Sequence, residues 1–169
     1  MSNSFDVLII GGGIVGLTAA LGMAQHHQVA VLDSGALSTD LSKSDVRVYA
    51  VNKASQKLFQ QLKVWSFLDI ERLSPYKKMF VWDAANGANI HFDSRTIANK
   101  ELGFIIEESV LKQALLDRIA QETNIRLLPK HLVDKVEPFA NGVLIHSQSE
   151  VFKAKLLIAA DGAQSPTRE

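Results

Sequence analysis

The feature that most constrains the fold is the segment of residues 5–33, FDVLIIGGGIVGLTAALGMAQHHQVAVLD, in which two apolar runs flank three glycines and a helix-period stretch. Gly11, Gly13 and Gly16 have the spacing that gives a tight turn, close backbone approach to a pyrophosphate and close helix–strand packing. Asp33 ends the second apolar run, about 20 residues further on, where it can accept a hydrogen bond from a ribose hydroxyl. The segment therefore predicts a βαβ unit that binds a dinucleotide.

The helix that follows the glycines supplies the rest of the expected phosphate site. We expect the backbone amides from Ile14 and Val15 onward to point at the phosphates with the positive end of the helix dipole. Ser34, next to Asp33 at the end of the second strand, is included among the expected cofactor-binding residues. A glycine-rich turn with no nucleotide is the alternative, and the strand, helix and acid around the glycines argue against it.

Composition excludes several other classes of protein. The 169 residues carry 18 basic and 18 acidic side chains, so no excess charge attracts the chain to nucleic acid, and we expect no such partner. The absence of cysteine excludes disulfides and thiolate chemistry and fits an intracellular protein, while five scattered histidines predict no metal site. Residues 7–24 are uncharged, but the glycines and Asp6 favour a buried strand and helix over a membrane span.

The middle of the chain predicts two helices and a hairpin. Asn52 is expected to cap a helix whose inner face carries Leu58, Phe59 and Leu62. Residues 78–93 predict a hairpin with a type I′ turn at Asn86–Gly87. A second helix is expected from Ser109 to Asn124. The tryptophans Trp65 and Trp82 and the phenylalanines are interpreted as core.

The C-terminal third predicts a β-meander followed by a parallel strand. Strands are expected at residues 132–136, 143–145 and 151–153, with turns at Asn141–Gly142 and Gln148–Ser149. A separate apolar strand is expected at residues 156–160. A plain nicotinamide-type domain would continue instead as alternating strands and helices.

A second motif begins at the end of the last expected strand, in the sequence LLIAADGAQSPTR of residues 156–168. Asp161 and Gly162 are expected at the carboxyl end of a buried strand, where open α/β sheets bind ligands. Together with the fingerprint and with Arg47 in SDVRVYAVN, this tail resembles the FAD-dependent aromatic hydroxylases typified by para-hydroxybenzoate hydroxylase. Their Asp-Gly pattern with a following Ser and Arg is matched by Ser165 and Arg168.

The segments DVRVYAVNKAS, MFVWDAANGANIHFD and LGFIIEESVLKQAL are similar to those of the ubiquinone-biosynthesis hydroxylases within that family. The resemblance covers nearly the whole chain. It implies an α/β, Rossmann-like FAD-binding domain, FAD as cofactor, NAD(P)H as external reductant, and molecular oxygen with an aromatic or prenylated phenol as substrates. It also implies hydroxylation of that phenol through a flavin C4a-hydroperoxide.

The resemblance further implies roles for individual residues. The three fingerprint glycines cradle the pyrophosphate, Asp33 holds the adenosine ribose, and Arg47 lies over the cofactor. Asp161 and Gly162 contact FAD and, transiently, the reductant. Two positions depart from the family: Asp33 stands where Glu is commoner, and Glu108 stands where relatives carry Asn, Gln or Arg facing the ribityl chain. An ionised Glu108 cannot donate a hydrogen bond there. No catalytic acid, base or nucleophile is identified.

The family's second Gly-Asp motif does not occur before Glu169. We therefore expect residues 1–169 to form the N-terminal portion of an FAD-binding domain, with residues 76–104 contributing strands to an incomplete substrate domain. Alone, this portion is expected to be inactive and to bind FAD weakly or not at all. The intact protein is expected in the cytoplasm, peripheral to the inner membrane or in a ubiquinone-biosynthesis complex.

Two other functions remain open from the sequence. An FAD-dependent reductase or dehydrogenase of the same fold would keep its activity without oxygen. A non-catalytic nucleotide-binding module would bind NAD or ADP with no preference for FAD.

Overall fold

Eleven strands and three α-helices, with short 3-10 turns between them, make up the part of the chain that the computed structural model describes, residues 3–163, 165 and 167. In chain order they are β1 (Ser4–Ile10), α1 (Ile14–Met23), β2 (Val29–Asp33), β3 (Val48–Asn52), α2 (Lys53–Gln61), β4 (Ser74–Tyr76), β5 (Lys78–Trp82), β6 (Asn89–Asp93), β7 (Gly103–Glu107), α3 (Glu108–Ile119), β8 (Ile125–Pro129), β9 (Lys135–Phe139), β10 (Gly142–Ser147) and β11 (Glu150–Ala159).

The chain divides into two compact units. The sheet unit consists of the residues up to Thr39 and those from Lys112 onward, and the inserted unit is Asp40–Leu111. Helix α3 begins in the inserted unit and continues into the sheet unit.

A six-stranded sheet in the order β8-β2-β1-β11-β10-β9 forms the sheet unit. The strands β8, β2, β1 and β11 are parallel, whereas β10 and β9 add an antiparallel meander. This arrangement confirms the expected α/β class with a βαβ start, a parallel sheet and a β-meander. Residues 7–24 form a strand and a helix as expected; the strand residues 7–10 are buried, whereas the helix is buried on one side only, at Gly16, Leu17, Ala20 and Leu21. Within the described residues, no helix has both the length and the apolar character needed to cross a bilayer.

Strand β11 corrects the prediction of two separate strands at residues 151–153 and 156–160. Its first half pairs antiparallel with β10, from Glu150 opposite Ser147 to Ala154 opposite Val143. Its other edge pairs parallel with β1, up to Ala159 opposite Ile10. The charged residues between the two apolar runs are part of the strand, because a strand that is covered on one face alternates polar and apolar side chains.

The core of the sheet unit lies against the two central strands and the meander. Its buried cluster consists of Leu8, Ile10, Ala30, Leu32, Leu128, Val143, Ile145, Phe152 and Ala154. On the opposite face of β1, the side chain of Ile9 approaches helix α1 at Gly16. Since each fully buried Leu, Ile, Val or Phe side chain contributes about 1.5–3 kcal/mol, this two-sided burial anchors the strand ends that carry the fingerprint.

The inserted unit contains a three-stranded antiparallel sheet, β3-β7-β4, and the hairpin β5–β6. Asn52 caps α2 as predicted, with its Oδ1 accepting a hydrogen bond from Ser55 N at 2.9 Å. Phe59 and Leu62 are buried, but Leu58 is 43% exposed, so its predicted place on the inner face is wrong. Leu58 is one residue before Phe59, which turns it about 100° away on the helix surface.

The hairpin β5–β6 lies where it was predicted, but its turn differs. Trp82 pairs with Asn89, so six residues form the loop, and Gly87 has a positive φ whereas Asn86 does not. A type I′ turn needs positive φ at both central residues. The side chain of Asn86 instead accepts from Ala88 N at 2.9 Å, and that of Asp83 accepts from Ala85 N at 2.8 Å. Such local side-chain bonds stabilise a longer loop.

The interpretation of the aromatic residues as core is wrong for this hairpin. Trp82 is 65% exposed, and Phe80 and Phe92 are also exposed. A two-stranded hairpin cannot bury both of its faces by itself. Trp65 is half-buried and packs edge-on against Phe104, with ring centroids 5.5 Å apart.

Several element boundaries were not predicted. Helix α3 ends at Ile119 rather than at Asn124, whose side-chain amide donates to His27 O at 3.0 Å. The first meander strand begins at Lys135, and residues 132–134 form a loop before it. The sequence also did not predict strands β3, β4, β7 and β8.

Candidate functional site

The fingerprint glycines bring three elements together without space for side chains. Gly11 has a φ of 106°, and a Cβ there would overlap the carbonyl oxygen of Ala160, which follows β11. A Cβ at Gly16 on α1 would overlap the carbonyl oxygen of Gly11. Because backbone atoms occupy both positions, β1, β11 and α1 approach one another more closely than any other residue allows.

The N-terminus of α1 is open to a ligand. Gly13 is its N-cap, no atom lies within 4 Å of where a Cβ would stand, and no side chain caps the helix there. The first turn carries no acidic residue, and Val15 is 72% exposed. The amides of Ile14, Val15 and Gly16 have no intrahelical acceptor, so they fit an anionic group at the positive end of the helix dipole.

Asp33 ends β2 and fixes two neighbouring backbone segments. Its Oδ2 accepts from Gly12 N at 2.6 Å, and its Oδ1 accepts from Gly35 N at 2.8 Å. An ionised carboxylate offers about four acceptor positions, so both oxygens keep acceptor capacity for ribose hydroxyls. The carboxylate predicted to accept from a ribose is therefore held in place with acceptor positions to spare.

A cleft of about 370 Å³ opens at the carboxyl ends of the parallel strands. Its lining residues come from four chain segments and are Ile10, Gly11, Leu32, Asp33, Ser34, His131, Leu132, Val133 and Asp161. Four of the residues expected from the sequence, Gly11, Asp33, Ser34 and Asp161, thus share one cleft. Its position agrees with the rule that open α/β sheets bind ligands beyond their carboxyl strand ends.

Asp161 lies at the edge of this cleft, and Gly162 follows it. Burial acts to raise the pKa of Asp161, but hydrogen bonds from Ser165 and Thr167 outweigh it and hold the pKa below its ordinary value. Thr167 Oγ1 donates to Asp161 Oδ2 at 2.8 Å. The carboxylate is therefore kept ionised. The matching arginine of the motif, Arg168, lies outside the described residues.

Sequence reasoning missed one wall of the cleft, formed by His131, Leu132 and Val133. These residues follow β8, which pairs parallel with β2 from Val29 opposite Ile125 to Asp33 opposite Pro129. Recognition of β8 as a strand would have found them, because the carboxyl ends of neighbouring parallel strands meet at one edge of the sheet.

Arg47 belongs to the inserted unit and is not among the residues that line the cleft. Its guanidinium pairs with the carboxylate of Glu108 at 3.1 Å and is 71% exposed. Glu108, through charge attraction and hydrogen bonding, raises the pKa of Arg47 further above its ordinary value, and Tyr49 adds to this. Glu108 thus gives Arg47 a carboxylate partner within the inserted unit.

The neighbouring Glu107 is held by hydrogen bonds within the inserted unit. It accepts from Asp45 N at 2.6 Å and from Arg72 Nη2 at 2.8 Å. The backbone hydrogen bond from Asp45, followed by the side-chain bond from Arg72, lowers the pKa of Glu107. Glu107 therefore ties the loop before β3 to β7.

The parallel sheet, the fingerprint turn and the cleft define a dinucleotide-binding domain of the Rossmann type. Residues 4–169 match the family model described as the FAD binding domain, so the chain belongs to that family and its cofactor is FAD. The helix N-terminus that is open at Gly13 and the ribose acceptor at Asp33 fit this group.

The chain is also similar to individual curated proteins. The chain is 33% identical over 168 residues to 3-demethoxyubiquinol 3-hydroxylase of Escherichia coli, covering 97% of this chain and 43% of that protein. It is 28% identical to the mitochondrial ubiquinone biosynthesis monooxygenase COQ6 of Dictyostelium discoideum, covering 96% of this chain and 38% of that protein. The chain thus spans less than half the length of these relatives.

A solved structure shows the fold. The chain superposes on p-nitrophenol 4-monooxygenase from Pseudomonas putida with a TM-score of 0.77 at 19% identity, covering 99% of this chain and 43% of the other. The expected resemblance to the FAD-dependent aromatic hydroxylases, including those of ubiquinone biosynthesis, is confirmed.

Proposed function

We propose that the cleft of the sheet unit binds the adenosine and pyrophosphate portion of FAD. The observation that carries this proposal is the open N-terminus of α1 directly after the Gly11 turn. In this assignment the glycines admit the pyrophosphate, and the amides of Ile14 and Val15 donate to it. Asp33 accepts from the ribose hydroxyls.

Ser34, Asp161, Gly162 and Arg47 complete the proposed cofactor-binding set. Ser34 extends the ribose end of the cleft next to Asp33, and Asp161 and Gly162 extend its other end toward the flavin. Arg47 is assigned a cofactor contact on the family pattern.

For a polypeptide of the relatives' length we propose an FAD- and NAD(P)H-dependent monooxygenase that hydroxylates the aromatic ring of a polyprenylated phenol in ubiquinone biosynthesis. The names of the Escherichia coli and Dictyostelium relatives support this reaction. When bound, FAD supplies the oxygen-activating chemistry. The residues of this chain bind and orient the cofactor, and NAD(P)H is the external reductant.

We further propose that residues 76–104 contribute strands to a substrate domain. The exposed apolar side chains of the hairpin β5–β6, among them Phe80, Trp82, Ile90 and Phe92, support this assignment. Phe80 and Trp82 lie on one face of the hairpin and Ile90 and Phe92 on the other, so both faces expose apolar surface that is available for contact with other structure. Because a polyprenylated substrate partitions into lipid, the longer protein is proposed to work at the inner-membrane surface, which vesicle co-sedimentation tests.

The cofactor assignment is tested with ADP-ribose, which carries the adenosine and pyrophosphate without the flavin. Protein-observed NMR detects even millimolar binding, which corresponds to roughly 4 kcal/mol. FAD is expected to bind this chain weakly or not at all, but ADP-ribose needs only the cleft of the sheet unit, so we expect it to shift the amide signals of residues 11–16 and 33–35. Asp33→Asn should weaken binding about tenfold, because a charge-assisted hydrogen bond becomes a neutral one. Asp117→Asn, on the exposed face of α3, is the matched control and should bind as the original chain does.

Two results would contradict the assignment: no shifts at the fingerprint, or equal affinity in the Asp33→Asn variant.

The reaction is tested on a polypeptide of the relatives' length that contains this chain. Hydroxylation of a prenylphenol coupled to NADPH oxidation supports a monooxygenase, whereas turnover that persists without oxygen supports a reductase. The 169-residue chain alone is expected to show no substrate-dependent NADPH oxidation.

A further inference from the structure

His131 lies in the wall of the cleft with both ring nitrogens held by protein oxygens. Its Nδ1 is 2.9 Å from the carbonyl oxygen of Pro129, and its Nε2 is 3.0 Å from Oε2 of Glu150. A carbonyl oxygen only accepts, so Nδ1 donates to it, and the carboxylate favours a second proton on Nε2. The hydrogen bond from the ring to Glu150, followed by that to Pro129, raises the pKa of His131.

The surroundings of the ring fix its position. The backbone N–H of His131 donates to Asp33 O at 2.8 Å, and the ring packs edge-on against Phe152, with centroids 5.7 Å apart. The His131 side chain is 18% exposed. The ring therefore belongs to the cleft wall and cannot turn away without losing both nitrogen contacts.

One charged group and two neutral polar groups from three other segments surround this pair. Arg126 on β8 acts to lower the pKa of His131, and it also helps to lower the pKa of Glu150. Asn3 joins them, since its Oδ1 accepts from Arg126 Nη1 at 3.5 Å and its side chain bonds Glu150. Asp33 is held through its backbone carbonyl. Glu150 remains the largest influence on the ring.

The protonation state of this ring affects the net charge that a ligand meets in the cleft. Among the lining residues that the structure describes, Asp33 and Asp161 are acidic, and His131 is the one that can carry a positive charge. A dinucleotide pyrophosphate carries two negative charges. When His131 is protonated, its charge cancels that of Glu150; when His131 is neutral, Glu150 leaves a third negative charge beside the two acids of the cleft. Protonation of the imidazole therefore lessens the repulsion that these carboxylates exert on the ligand.

We propose that His131 is a proton-dependent binding residue of this cleft. Protonated and paired with Glu150, the ring holds the wall and cancels the charge of that carboxylate; deprotonated, it loses this hydrogen bond and leaves the carboxylate charge uncompensated. This inference rests on the proposed dinucleotide function of the cleft and adds a residue and a pH dependence to it. The affinity for the dinucleotide is highest at pH values below the ordinary titration range of histidine. It falls as the pH rises through the range in which His131 loses its proton, which lies higher because the pKa of His131 is raised.

The test measures ADP-ribose affinity by NMR on this chain between about pH 6 and about pH 9, a range in which the pyrophosphate diester does not titrate. The original chain should lose roughly three- to tenfold in affinity across this range, the scale of one charge near a phosphate in a partly solvated site. His131→Gln should be weak and independent of pH. Glu150→Gln should move the midpoint to lower pH, because the carboxylate that favours protonation is gone.

His146→Gln is the matched control, because His146 Nε2 lies 2.6 Å from Oε2 of Glu137 in the same unit but does not line the cleft. It should keep the original pH profile. Binding with an unchanged pH profile in His131→Gln, or no pH dependence in the original chain, overturns this inference alone. Absence of binding at every pH overturns the cofactor assignment and this inference together.

Discussion

The central strands of the sheet unit bury their apolar side chains, whereas the hairpin of the inserted unit exposes them. In the sheet unit, Leu8 and Val31 of the central strands and Phe152 of β11 are fully buried. In the inserted unit, Phe80 and Trp82 of the hairpin are exposed. The difference arises because strands inside a covered sheet are enclosed on both faces, whereas a hairpin leaves its faces open. The enclosed strands therefore carry the cleft, and the open hairpin presents a surface for contact.

The largest difference is expected between two aromatic truncations. Phe152→Ala should lower the free energy of unfolding by about 3–5 kcal/mol, because it opens a cavity in the enclosed core. Trp82→Ala should change it by no more than about 0.5 kcal/mol, because its side chain is already in solvent. Urea unfolding followed by far-UV circular dichroism measures both. A comparable loss in the two variants would remove the contrast between the units.

The next largest difference is expected between substitutions at two glycines of the same helix, α1. Gly16→Ala should destabilise the protein by about 3 kcal/mol, because its Cβ meets the backbone of Gly11. Gly22→Ala meets no atom within 4 Å and should stabilise by about 0.5–1 kcal/mol through helix propensity. The midpoints of thermal unfolding of the two variants measure this difference. Equal midpoints would show that α1 and the Gly11 turn are not packed as closely as described.

Gly13→Ala separates binding from stability within the sheet unit. The added methyl group meets no protein atom, and the φ of −77° suits alanine, so unfolding should change by less than about 1 kcal/mol. The methyl group does occupy the approach to the helix amides, so ADP-ribose affinity should fall about tenfold. Undiminished affinity would place the pyrophosphate elsewhere.

The smallest effect concerns an exposed ion pair of the inserted unit. Hydrogen bonds from the side chain and backbone of Arg95 lower the pKa of Asp93 to about 2. The small stabilisation from Asp93 is thus present above the ordinary aspartate range and is lost as the pH falls toward about 2. Arg95→Gln should raise the carboxyl titration midpoint seen by NMR, and Lys78→Gln, which removes a weaker partner, should raise it less. Equal shifts of the Asp93 midpoint in the two variants would show that the net charge, and not the contact with Arg95, lowers this pKa.

Much of the sheet unit could be predicted because its signals are local. The glycine spacing, the apolar runs around it and the acid at Asp33 lie within about 30 residues and are set by backbone geometry. The meander turn at Gln148–Ser149 was also predicted, and Gln148 has the positive φ that such a turn uses. The cap at Asn52 was found because it depends on a bond three residues away.

The parts that were missed depend on distant partners. Strand β8 is a five-residue segment whose pairing with β2 spans roughly 90 residues of chain, and nothing local distinguishes it from the end of α3. The cleft wall at His131 was missed with it. The charged residues in the middle of β11 led to the prediction of two strands. The pairing with β1, which makes them one strand, is not visible along the sequence.

By itself the sequence determined that this protein has a dinucleotide-binding start, an α/β sheet and a resemblance to FAD-dependent hydroxylases. The reason is that tight turns and close backbone approaches admit few residue types, so glycine spacing records them directly. Only the tertiary structure decided which side chains share the cleft. It set His131 and Glu150 together beside Asp33 and paired Arg47 with Glu108, because strand pairing and packing join residues that the chain itself keeps apart.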